Sequence, residues 1–185
     1  GKKLAESHAG ARKLLDEANA TLGFDLADIM WNGPEEKLTS TDNTQPALFT
    51  VSMMAMEWLR ERGMGFDFAA GHSLGEYSAL VASGVLTLTQ AVPLVRLRAQ
   101  AMQEAVPVGV GAMAAILGLS ANQVVQGCAQ VQAELGADAV VSAANFNDPG
   151  QTVIAGSKAA VDKACEVLKA MGAKRTLPLP VSAPF

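Results

Sequence analysis

A serine flanked by glycines two residues away on either side, Gly71-His72-Ser73-Leu74-Gly75, is the segment of this 185-residue sequence best suited to chemistry. The apolar run Phe66 to Ala70 precedes it and reads as a short buried strand, and a helix rich in small residues, Glu76 to Ser83, follows. Strand, sharp turn, helix is the context of a nucleophile elbow, which pushes the Ser73 hydroxyl out at a helix N-terminus and requires glycines on both flanks for steric reasons. There the helix dipole and the free N–H of Leu74 would stabilise the oxyanion of a tetrahedral intermediate, and losing one such donor typically costs about 10²- to 10³-fold in rate. The chemistry expected of Ser73 is acyl transfer.

A second residue narrows the acyl group. On the helix that begins at Thr87 or Thr89 and reaches about Glu104, the i, i+3, i+4, i+7 spacing puts Leu94, Val95, Arg98, Ala101 and Met102 on one face, with Arg96 on the more polar side beside Gln100 and Gln103. A guanidinium on an apolar face needs an anion, supplied either by an internal carboxylate or by a substrate. Arginine recognises a carboxylate bidentately, so an acyl group bearing its own free carboxylate fits, malonyl being the simplest.

The elements that must hold these residues follow from spacing and caps. Ala11, Leu14, Leu15, Ala18 and Leu22 predict a helix stopped at Gly23, Asp25 caps a turn through Met30, and Asn32-Gly33-Pro34 breaks it. A helix capped by Thr44, with Pro46 in its first turn, carries Leu48, Val51, Ala55 and Leu59 to a stop at Gly63. Past the Pro107/Gly109/Gly111 break the order becomes strand Ala112–Leu117, helix from a Ser120/Gln123 capping box, strand Ala139–Phe146, turn Asn147–Gly150, strand Thr152–Ala155, helix from Ser157 to Gly172, and extended Arg175–Leu179. That is a β-α-β-β-α-β unit of ferredoxin-like type. The expected organisation is α/β: a large subdomain of residues 1–108 plus 178–185, into which a ferredoxin-like small subdomain of 109–177 is inserted.

Composition excludes several classes. The net charge of −4 and 5% aromatic residues speak against nucleic acid as a partner. The uncharged stretches Tyr77–Val95 and Ala105–Ala133 are interrupted by Ser, Thr, Gln, Asn, Gly and Pro and predict interior segments of a soluble protein, not membrane spans. Cys128 and Cys165 fall on apolar helix faces and predict buried free thiols, consistent with a cytoplasmic setting and no signal peptide. Two histidines and two cysteines without ligand spacing predict no metal site. The sequence starts without Met and ends in the extended Pro180-Val181-Ser182-Ala183-Pro184-Phe185, which predicts a fragment cut at both ends.

The run Gly71-His72-Ser73-Leu74-Gly75-Glu76-Tyr77-Ser78-Ala79-Leu80 resembles the signature of the malonyl-CoA:acyl carrier protein transacylase family of type II fatty acid synthesis. The resemblance continues in order through Thr44-Gln45-Pro46-Ala47-Leu48, Arg98 with Met102–Pro107, Gly111–Ile116, Asn145-Phe146-Asn147 with Pro149-Gly150-Gln151, and Leu177–Ser182. It implies an α/β-hydrolase-like large subdomain with a ferredoxin-like insert. It further implies Ser73 as the catalytic nucleophile, the Leu74 amide as oxyanion donor, and Arg98, Gln45, His72, Asn145 and Asn147 as substrate-binding residues. Asn145 and Asn147 would lie near the CoA arm, and Arg98 would hold the malonyl carboxylate. Malonyl-CoA would be the substrate, acyl carrier protein the acceptor, and no cofactor would be permanently bound. In that family a catalytic histidine follows the segment matching Val181–Phe185, and a Gly-Gln-Gly segment precedes the matched region; neither is in this sequence, so the chain as written should be a poor catalyst. His72, a neighbour of Ser73 on a tight turn, is expected to hydrogen-bond locally and hold the elbow, and His8 to sit in a solvated stretch. Two other functions compete: a serine esterase or thioesterase, for which Arg98 has no use, and a catalytically incomplete docking module whose serine is idle.

Overall fold

The computed structural model describes residues 1–106, 109–136 and 139–179. These form two compact units, Gly1–Ala101 and the residues from Met102 onward. Pro107 of the expected Pro107/Gly109/Gly111 break and the run 180–185 fall outside the described residues.

The regular elements among the described residues of the first unit are all helices. They form α1 (Lys2–Ser7), α2 (Ala9–Leu22), α3 (Leu26–Asn32), α4 (Glu35–Thr39), α5 (Thr41–Arg60), α6 (Gly75–Ala82) and, running on into the second unit, α7 (Leu88–Ala105). The caps explain most of the boundaries. Asp25 accepts from the Asp28 N–H at the start of α3, and Gly23, at φ 75°, ends α2 with its N–H on the Asn19 carbonyl. At α7, Thr87 and Gln90 bond reciprocally, settling the start at the earlier of the two expected threonines.

Three expectations for this unit change. Helix α5 begins at Thr41 behind Ser40, so Pro46 falls in the second turn, and Thr44 donates its hydroxyl back to the Leu38 carbonyl instead of capping. His8 is not solvated: its side chain is 11% exposed, with Nε2 2.5 Å from Glu61 and Nδ1 accepting from Ala11 N–H at the start of α2. Phe66–Ala70 is not a buried strand. Its Phe66 and Phe68 are 51% and 92% exposed, because a strand requires a neighbour to complete its ladder and the described residues of this unit offer none.

The core of the unit is built where α2, α5 and α7 converge: Ala18, Phe49, Met53, Leu88, Ala91, Val92 and Val95 are buried together. Leu74, Tyr77 and Val81 pack on that cluster, which fixes α6 and the turn before it. A second cluster of Ala5, Ala11, Leu15, Ala27 and Met54 ties α1 and α3 to α2 and α5.

In the second unit, β1 (Gly111–Leu117), α8 (Ala121–Leu135), β2 (Val141–Asp148), β3 (Gln151–Ser157), α9 (Lys158–Ala170) and β4 (Arg175–Pro178) follow the expected βαββαβ order. The four-stranded antiparallel sheet runs β2-β3-β1-β4, with Ala114 opposite Ile154 and Ala115 opposite Leu177. Strand β2 starts and ends two residues later than expected, so Asn147 belongs to the strand and not to the turn. Val124, Cys128 and Val131 of α8 and Val161, Ala164 and Leu168 of α9 are buried on Ile116, Val141 and Ile154. The whole is a mixed α/β chain.

Both cysteines are free, but the expectation of two buried thiols holds for Cys128 alone, Cys165 being half-buried at the edge of the core. Burial pushes the Cys128 thiol up to about 11, with Cys165 adding to the effect, and burial likewise raises Cys165. Between the ordinary thiol value near 9 and about 11, the folded chain therefore keeps a proton that the unfolded chain has released, so stability falls as pH rises through that window and is unaffected below it. Alkylation of the native protein by iodoacetamide at pH 8, followed by intact mass, is expected to be slow at Cys128 and to speed up on adding denaturant.

Candidate active site

The turn into α6 carries Ser73, the expected nucleophile. Ser73 has φ 53°, the only described non-glycine residue with positive φ, and its backbone neighbours close the bend: Gly75 N–H bonds to His72 O at 2.9 Å, and Glu76 N–H to Ser73 O at 3.2 Å. A non-glycine residue in the left-handed region is strained, and such strain is retained where it aims a side chain. Ser73 is exposed, and the Leu74 N–H has no acceptor among the described residues, so a donor stands free beside the hydroxyl.

The two flanking glycines are not equivalent. A Cβ on Gly71 would lie 1.9 Å from the carbonyl carbon and oxygen of Gly75, a clash with backbone, whereas a Cβ on Gly75 meets nothing within 4 Å among the described residues. The expectation that both are sterically required is corrected: only Gly71 is. Gly71→Ala should force the elbow open, costing about 1–3 kcal/mol and displacing Ser73. Gly75→Ala, in the first turn of α6, should be neutral or stabilising by up to ~1 kcal/mol. Urea denaturation of both variants checks the contrast.

The guanidinium lies on the hydroxyl. Arg98 Nη2 donates to Ser73 Oγ at 2.8 Å, and Nη1 donates to Oε1 of Gln45 on α5. Three residues separated by 28 and 25 positions in the chain thus converge, Gln45 buried, Arg98 half-buried and Ser73 exposed. No carboxylate of the described residues forms an ion pair with Arg98, so its charge is held by neutral oxygens and remains available to an anion.

The face expected for α7 is displaced. Its buried stripe is Leu88, Ala91, Val92, Val95 and Ala99, while Leu94 is 43% exposed and Ala101 is exposed. Arg98 therefore borders the apolar stripe instead of lying within it. Arg96, assigned to the polar side, is half-buried on the opposite border, its guanidinium stacked 4.6 Å from the Phe24 ring centre with Nη1 on the Leu22 carbonyl. Ala91 and Ala99 are fully buried in this stripe, where their small side chains let the packed helices approach closely.

The His72 ring is exposed and makes no side-chain hydrogen bond among the described residues; it is the His72 carbonyl, not the ring, that holds the elbow. Asn145 and Asn147 lie on β2 of the second unit, Asn145 in register with Val153 and Asn147 donating to Gln151 Oε1 at 3.3 Å. No group of three or more His, Cys, Asp or Glu side chains among the described residues could hold a metal ion, and no helix among them is long and apolar enough to cross a membrane.

A serine of positive φ at a helix N-terminus, with a free amide beside it and an arginine at its oxygen, is the arrangement expected for acyl transfer, and the chain belongs to the acyl transferase domain family, whose family model matches residues 1–180. Among its relatives is the malonyl CoA-acyl carrier protein transacylase of Bacillus subtilis (strain 168), 49% identical over 185 residues, which are 100% of this chain and 57% of the relative. The crystal structure of an acyl carrier protein S-malonyltransferase from Vibrio cholerae matches with a TM-score of 0.89 and 48% identity, covering 98% of this chain and 58% of that one. A malonyl-transacylase solved in complex with its holo type II polyketide synthase acyl-carrier protein matches with a TM-score of 0.91 and 47% identity over 98% of this chain and 58% of that one. The chain thus spans a little under three fifths of the relatives' length.

Proposed function

We propose that this chain carries the nucleophile and the acyl-selecting arginine of a malonyl transfer from malonyl-CoA to the phosphopantetheine thiol of acyl carrier protein. The observation that carries the reading is the 2.8 Å hydrogen bond from Arg98 Nη2 to Ser73 Oγ, made by a guanidinium with no carboxylate partner among the described residues.

In the first half-reaction Ser73 Oγ bonds to the thioester carbonyl carbon, its proton passes to a base, and the carbonyl oxygen takes the negative charge against the Leu74 N–H. Collapse breaks the carbon–sulfur bond and CoA leaves as a thiol after protonation. In the second half-reaction the carrier's thiol attacks the malonyl-serine ester and Ser73 regains its proton. Arg98 moves its fork from Ser73 Oγ to the malonyl carboxylate, a bidentate contact at the distance a three-carbon acyl group sets. Neither histidine of this chain fits the base, since the His72 ring makes no bond to Ser73 and His8 is committed to Glu61 and the Ala11 N–H. By the family resemblance that role falls to a histidine following the residues that match Val181–Phe185.

The same reading takes residues 1–108 with 178–185 as the α/β-hydrolase-like part and 109–177 as the ferredoxin-like part, with the β2-β3-β1-β4 strand order supporting the latter. It keeps Asn145 and Asn147 as contacts of the CoA arm, requires no permanently bound cofactor, and places the reaction in the cytoplasm. A relative solved with an acyl-carrier protein supports the choice of acceptor. Mixing the protein with malonyl-CoA and reading its intact mass tests the proposal: a malonyl adduct that leaves on adding holo carrier protein is expected, whereas an adduct released to water at the same rate without carrier would support the thioesterase alternative.

A further inference from the structure

Arg98 is held by two neutral oxygens, and the deeper one has a property the chemistry requires. Gln45 is 7% exposed, sits on α5 between Thr44 and Pro46, and takes Arg98 Nη1 on its amide oxygen while Nη2 serves Ser73. An anchor on Nη1 fixes the plane of the guanidinium, because the fork is rigid and one hydrogen bond plus the Cδ–Nε stem leaves it little rotation. An amide oxygen does this without neutralising the charge. A carboxylate at the same position would also orient the fork, but it would complete an ion pair and set its own negative charge beside the incoming one.

We propose that Gln45 is a positioning residue that sets acyl specificity, its uncharged oxygen aiming the Arg98 fork at the Ser73 hydroxyl while leaving the full positive charge to a carboxylate-bearing acyl group. Gln45 then acts through Arg98 and does not touch substrate, a revision of the substrate-contact role implied by resemblance. This rests on the acyl-transfer function proposed above.

The test compares Gln45→Glu and Gln45→Met with the unaltered protein at its natural length, using malonyl-CoA and acetyl-CoA as acyl donors. Gln45→Glu keeps the volume and the acceptor but adds a charge; at an effective dielectric near 20, two like charges about 5 Å apart repel enough to lower malonyl selection by roughly 10²- to 10³-fold. It should raise KM for malonyl-CoA by that factor, with a smaller change in kcat, and lower the malonyl-to-acetyl rate ratio in parallel. Gln45→Met keeps the volume and removes the acceptor, so the fork is aimed poorly: kcat for malonyl transfer should fall more than KM rises. A purely structural role would lower both donors' rates alike in both variants, and an unchanged malonyl-to-acetyl ratio in Gln45→Glu overturns the inference. If Gln45→Glu does not fold, as judged by circular dichroism, Gln45→Met decides, an unaltered ratio again overturning it. Arg98→Ala separates the levels: if it keeps the malonyl preference, the proposed function fails; if it loses the preference while Gln45→Glu keeps it, only the role of Gln45 fails.

Discussion

Replacing Ser73 by alanine is expected to abolish acyl-enzyme formation, with kcat for malonyl transfer falling by about 10⁴- to 10⁶-fold, the range seen when a covalent nucleophile is removed. The loss should be chemical and not structural. Alanine carries the same Cβ into the same φ of 53°, so the strain of the left-handed conformation is unchanged, and the elbow's backbone bonds from Gly75 to His72 and from Glu76 to Ser73 do not involve the hydroxyl. Only the acceptor for Arg98 Nη2 disappears, and that nitrogen faces an exposed position where water replaces it. Intact mass after exposure to malonyl-CoA should therefore show no adduct, while a urea melt should match the parent within ~1 kcal/mol. An adduct that persists in Ser73→Ala would place the nucleophile elsewhere, and Cys128, buried and protonated well above neutral pH, is a poor substitute.

The second large effect concerns which acyl group is accepted. Arg98→Ala should remove the preference for malonyl over acetyl, lowering the malonyl rate by about 10²- to 10⁴-fold, since hydrogen bonds to a charged partner contribute roughly 1.5–3 kcal/mol each and a fork makes two. The acetyl rate has no carboxylate contact to lose and should change far less. Arg98→Lys should recover a minor part, because a lysine restores the charge but neither the second donor nor the planar fit, and the bond to Gln45 is no longer made together with that to Ser73. Initial rates of labelling by the two thioesters measure both variants. A malonyl preference undiminished in Arg98→Ala would leave the esterase and docking-module alternatives standing.

The elbow could be read from five consecutive residues because its determinants are local: a bend, a glycine whose absent side chain lets the chain cross itself, and a helix start that supplies an amide. The capping box at Ser120 and Gln123 and the βαββαβ order of the second unit were readable for the same reason, each being a short-range hydrogen-bond or period signal. Local signals failed where the partner lay elsewhere. The apolar run Phe66–Ala70 has the composition of a strand, yet strand formation depends on a neighbour's backbone, and none among the described residues of its unit supplies it. Likewise helical spacing alone puts Leu94, Val95, Arg98, Ala101 and Met102 on one face of α7, whereas packing buries the neighbouring stripe of Leu88, Ala91, Val92, Val95 and Ala99.

Chain order alone singled out Ser73 as the candidate nucleophile, the turn that exposes it and the helices that carry Gln45 and Arg98, all consequences of torsional preference and hydrogen bonding over a few residues. Folding chose which arginine meets the serine, which faces Phe24, and which amide steadies the first of them, because those contacts join α7 to α5, to the turn before α6 and to the turn between α2 and α3, across dozens of positions, and exist only once Phe49, Met53, Val92 and Val95 are packed together.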